Sequence, residues 1–107
     1  MSINNSQRAE TATELSAVMD GTTKVIGSLE FNPVIIVFEN QGDVAVALYR
    51  NQTANIWHTF PAGEAIVLDM RAAHGLASNF SFSVGDTFYG NGASGTFSIS
   101  YIYAKDL

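Results

Sequence analysis

A chain of 107 residues forms one domain with one core, able to bury about 60–65% of the surface its unfolded form exposes. Five basic residues stand against ten acidic ones, a net charge of -5, and Arg8, Lys24, Arg50, Arg71 and Lys105 are scattered, so nucleic acid, which needs several cations on one face, is not an expected partner. The absence of cysteine excludes thiol catalysis, thiolate metal sites and disulfides, and a charged fraction of only 14% leaves a surface of neutral polar or apolar groups suited to permanent contact with other subunits.

The first nineteen residues are polar, rich in Ser, Asn, Thr, Ala and Glu. Residues 9–18 have the composition of a short helix but too few apolar positions to be held by a core. We therefore expect residues 1–20 to be an N-terminal arm, either a frayed terminus or an extension that orders on a neighbouring subunit, with a β-sandwich domain over residues 21–107. No apolar run resembles a signal peptide, and none reaches the roughly 18 residues of a membrane span, so synthesis in a cytosol without membrane insertion is expected.

Asp20 and Gly21 signal a turn, after which residues 22–29, with Lys24 and Gly27, read as a partly polar edge strand. Pro33 then opens the densest β region of the chain. Residues 33–38, 44–49, 56–60 and 65–70 are β-rich runs separated by turn residues at short, nearly regular intervals, the rhythm of stacked antiparallel strands. Residues 34–38 are apolar without interruption, so both faces of that strand are expected to be covered, one by the core and one by a neighbour or the arm. Val44, Val46 and Leu48 alternate with small residues and Tyr49, which assigns the first set to the core. Trp57, the single tryptophan, is either a core or sheet-edge residue or an aromatic anchor in a subunit interface.

Residues 71–77 read as one helical turn or a loop crossing between sheets, residues 79–84 alternate as a strand, and Gly85 and Asp86 make another turn. A short aromatic strand follows at residues 87–89. The last strand, residues 96–104, sends Phe97, Ile99, Tyr101 and Tyr103 to one side. Some eight strands fit an all-β, antiparallel, two-sheet sandwich of jelly-roll type better than a seven-stranded immunoglobulin fold.

Chemical motifs are few. Residues 90–95 match the GxGxxG pattern, but a strand follows where a dinucleotide site needs a helix N-terminus, so the segment reads as a glycine loop and no cofactor is expected. His58 and His74 are the only histidines and lack the spacing of metal ligands. Ser94 lacks the strand-to-helix elbow of a hydrolase nucleophile. Carboxylate pairs for glycoside hydrolysis depend on a three-dimensional separation, while Asp43, Asp69 and Asp86 sit beside glycines or at strand ends, where turn chemistry or a solvated charge accounts for them. No catalytic residue is assigned, and a non-enzymatic role is expected.

Residues 40–43 (Asn-Gln-Gly-Asp) before a strand, residues 60–64 (Phe-Pro-Ala-Gly-Glu) before Ile66 to Asp69, and the closing run from Gly90 to Tyr103 resemble small virion proteins of tailed bacteriophages. The likeness, over about residues 25 to 104, is greatest to jelly-roll decoration or cement proteins on the outside of icosahedral capsids. That resemblance implies a dimer or trimer that bridges major capsid protein subunits and stabilises the shell. From the residues themselves, the expected interface comprises Ile3, Leu15 and Val18 of the arm together with Tyr49, Trp57, Tyr89 and Asn91. The alternative is a receptor- or carbohydrate-binding module of a tail fibre or tailspike, built on an aromatic platform of Trp57, Tyr89 and Tyr101.

Overall fold

In the computed structural model, residues 8–70 and 81–106 are described. They form β1 (Arg8–Val18), β2 (Lys24–Ser28), β3 (Pro33–Asn40), β4 (Val46–Arg50), β5 (His58–Phe60), β6 (Ala65–Asp69), β7 (Thr87–Asn91) and β8 (Thr96–Asp106). Two four-stranded sheets result, ordered β1-β8-β3-β6 and β2-β7-β4-β5. Every pairing is antiparallel. The first strand pairs with the last, the second with the seventh, the third with the sixth and the fourth with the fifth, so the chain is a long doubled ribbon rolled into a sandwich. This is jelly-roll connectivity, as the count and spacing of strands led us to expect.

Side-chain alternation decides what each strand buries. From β8, Phe97, Ile99, Tyr101 and Tyr103 point inward beside Ile36 and Phe38 of β3, and the facing sheet supplies Ile26, Val46, Leu48, Phe60 and Phe88. Phe38 is the centre of this core. Its ring lies 5.3 Å from Trp57, 5.4 Å from Phe88, 5.7 Å from Phe82 and 6.2 Å from Phe60, tying both sheets together through tilted and edge-on aromatic contacts.

Several expectations are corrected. Residues 8–18 are neither helix nor free arm but strand β1, paired with β8 from Arg8 opposite Asp106 to Val18 opposite Thr96. The segment needs few apolar residues because main-chain bonds to β8 hold it, with Leu15 and Ala17 packed at the core margin. A boundary at residue 20 therefore cuts through the sandwich. The described part of the expected strand over residues 79–84 is not a strand: Phe82 enters the core while Ser81 and Ser83 are tied to Arg50 and Asp86. Val44, Ile56 and Trp57 precede β4 and β5 rather than belonging to them, and Gly90 and Asn91 end β7, so the glycine turn spans only residues 92–95. The expected turn or loop over residues 71–77 lies outside the described residues.

One end of the sandwich is fixed by Asn40, which is fully buried. Its Nδ2 donates to the carbonyls of Val44 (2.8 Å), Phe60 (3.1 Å) and Pro61 (3.1 Å), and its Oδ1 accepts from the Gly42 amide at 3.0 Å. Beside it, Gly95 has φ 89° and lies so close to Gly42 that an added Cβ would meet the Gly42 Cα at 2.7 Å. Only glycine fits that contact.

Candidate functional site

The outer face of the β1-β8-β3-β6 sheet follows from register. One row crosses it as Ala12, Ile102, Ile35 and Asp69, and the next as Glu14, Ser100, Val37 and Val67. Ala12, Ile35, Val37, Ser100 and Ile102 line a shallow apolar depression of about 260 Å³, and Val67 beside it is 61% exposed. Among the described residues no element packs across this face. Glu14, Glu39 and Asp69 share it, so carboxylates stand around an apolar centre. Ser98 is buried within the same face, where the Gln41 side chain donates to its hydroxyl and to Glu39.

The outer face of the second sheet has different chemistry. Tyr89 lies between Val25 on one strand and Tyr49 on the other, and the adjoining row reads Asn91, Ala47 and Thr59. Asn91 donates to the Thr23 hydroxyl at 2.7 Å, and the hydroxyls of Ser28 and Thr87 share a hydrogen bond of the same length. This is an amphipathic surface of rings and amides.

Of the expected interface residues, the fold therefore brings Tyr49, Tyr89 and Asn91 together on one face. Val18, 61% exposed, lies at the end of β1 on the opposite sheet. Leu15 points inward, where its side chain fills the space beside Gly27. Trp57 also packs inward on Phe38 and Phe82, which makes it a sheet-edge core residue. Ile3 lies outside the described residues. The platform of Trp57, Tyr89 and Tyr101 does not form, because Tyr101 is buried with its hydroxyl accepting from the Glu30 amide at 3.0 Å. The apolar patch of Ala12, Ile35, Val37, Val67 and Ile102 was not assigned from sequence. Its signal was the uninterrupted apolar run of β3, which implied a covered second face.

Two electrostatic features frame these surfaces. Burial pushes the Asp86 carboxyl up, but the Asn51 side chain, the Ser83 amide and the Arg50 guanidinium 2.9 Å away outweigh it and hold the group below its ordinary value of 3.8. Arg50 also lies over the Phe82 ring, 4.4 Å from its centroid, and so clamps the 81–86 segment to β4. His58 and Glu64 form a half-exposed pair at 3.0 Å. Among the described residues, no group of three or more His, Cys, Asp or Glu side chains is placed to hold a metal ion, and no helix is long and apolar enough to cross a membrane. What the two faces offer is burial and hydrogen bonding.

No family model matches the sequence, and no curated protein matches it. In three dimensions the chain is similar to a chain of the Bacillus endospore appendages, described as a novel family of disulfide-linked pili, with a TM-score of 0.43 and 14% identity over 91% of this chain and 88% of that one. It is also similar to PirA, with a TM-score of 0.39 and 16% identity over 91% and 94% of the two chains. A de novo designed double-stranded β-helix gives a TM-score of 0.30 and 10% identity over 92% and 97%. Such likeness is one of fold alone: the chain is an all-β sandwich of two four-stranded antiparallel sheets.

Proposed function

We infer that this chain is a non-enzymatic structural protein of a virion, a decoration or cement protein that binds the outside of a phage head and stabilises contacts between major capsid protein subunits after synthesis in the host cytoplasm. The observation that carries the reading is the apolar outer face of the β1-β8-β3-β6 sheet, centred on Ile35 and Val37. Adhesion needs about 1,000 Å² of buried surface, and each Å² of apolar area removed from water contributes about 25 cal/mol. A rigid sheet face loses little entropy on docking, which favours it over a flexible segment as the adhesive surface.

Co-sedimentation with heads that lack the protein tests the reading. Val37→Glu and Ile35→Glu place charge at the centre of the patch without touching the core, so both variants are expected to fold and to lose binding. Stoichiometric binding by both would overturn the assignment of this face. The paired Tyr49 and Tyr89 favour a second reading, a receptor- or carbohydrate-recognising domain of a tail fibre or tailspike, in which rings stack on sugars and Asn91 supplies hydrogen bonds. A glycan array read with wild type and Tyr89→Ala separates the two: hits lost in the variant support recognition, and a blank array retires it.

A further inference from the structure

We propose that β1 is a pairing edge for a second copy of this chain, two β1 strands running antiparallel about a twofold axis at Thr13 to join two β1-β8-β3-β6 sheets into one. The proposal goes beyond the reading above and does not depend on a capsid contact.

Exposed sheet edges attract other strands, and proteins blunt them unless they are used. Among the described residues, three of the four sheet edges are blunted. β2 has five residues, carries Lys24 and is broken by a bulge between Val25 and Gly27; β5 has three residues and runs into Pro61; β6 has five. β1 is the exception. It runs for eleven residues without proline, lysine or bulge, in unbroken register with β8. Alternate amides and carbonyls along its free side point away from β8, as in any antiparallel edge.

The sequence of β1 selects one self-complementary register. With Thr13 opposite Thr13, all eleven residues find partners: Glu10 faces Ser16 and Glu14 faces Ala12. Centring the axis one residue earlier would oppose Glu10 and Glu14 twice, and one residue later would oppose Glu14 with itself. Like charges directly opposite destabilise a pair, and axes at Thr11 or Leu15 avoid them only by pairing seven of the eleven residues, so the Thr13 register is the one that pairs the whole strand without direct repulsion. A twofold axis perpendicular to the sheet keeps even-numbered residues on one side in both copies. Eleven paired residues span about 36 Å and supply about ten to twelve ladder bonds, the number a stable interface carries. The row of Ala12, Ile102 and Ile35 is then repeated on the other side of the axis, so a dimer presents two apolar patches on one continuous sheet face, with the two Glu14 side chains between them.

The chain has no cysteine, so single introduced thiols report the axis directly. Thr13→Cys faces its own mate at about 5 Å and is expected to oxidise to a disulfide dimer, while Ser16→Cys lies about 20 Å from its mate and stays monomeric. Light scattering over a dilution series gives the second measurement. Ser16→Glu sets two carboxylate pairs across the axis and is expected to weaken the dimer about tenfold, with Glu10→Lys in the same chain restoring it. A wild-type protein monomeric throughout, cross-linking of Ser16→Cys as fast as Thr13→Cys, or a dimer indifferent to Ser16→Glu would each overturn the proposal. A monomer that still co-sediments with heads overturns the pairing alone and leaves the decoration reading standing.

Discussion

Val37 and Phe38 are chain neighbours on opposite faces of β3, so one bears on the proposed adhesion and the other on stability. Phe38 is fully buried among rings from the facing sheet and the segments beside it, so Phe38→Ala is expected to cost about 3–5 kcal/mol in denaturant unfolding. Val37→Glu is expected to leave the unfolding midpoint nearly unchanged while abolishing adhesion. Asn40 is a third type, polar and buried: Asn40→Ala strips partners from three carbonyls and one amide and is expected to cost about 2–4 kcal/mol. Asp86 gives the pH response. Its carboxyl is held below the ordinary value, so its contribution is complete above that value and is lost as pH falls through the lowered one. Thermal melts on descending into acid should therefore fall more steeply for wild type than for Asp86→Asn, and parallel curves would contradict that role. Part of this was legible from residues alone, since the alternation in β8 grouped Phe97, Ile99, Tyr101 and Tyr103 on one side, and that side is the buried one. Asn40 was not, because a turn composition of Asn, Gln, Gly and Asp does not reveal that the amide turns inward.

At the scale of elements, β1 is where local sequence misleads. Its Ala, Glu and Thr content suits a short helix, and the strand that fixes it, β8, lies at the far end of the chain, so no local pattern could announce the ladder. The outer patch shows the same limit. Ile35 and Val37 were marked by the uninterrupted apolar run, but Ala12, Val67 and Ile102 join them only through register across three other strands. The described part of residues 79–84 errs in the other direction: alternation suggested a strand, yet the Arg50 and Asp86 clamp and the burial of Phe82 shape a loop. A deletion series checks the placement of β1. Removal of residues 1–7 is expected to leave thermal unfolding intact, whereas removal through residue 18 uncovers one edge of β8 and should lower the midpoint sharply or prevent folding. Equal stability of both deletions would mean that β1 contributes nothing to the sandwich.

For the whole molecule, the pairing of first strand with last orders its biosynthesis. β8 lies between β1 and β3, so neither half of that sheet can close until residues 96–106 are available. Until then β1 has no ladder partner and the inner faces of Ile36 and Phe38 lack the side chains of β8. Non-local topology of this kind folds slowly and leaves apolar strands exposed meanwhile. The same delay keeps the row of Ala12, Ile102 and Ile35 from assembling until β8 has been made.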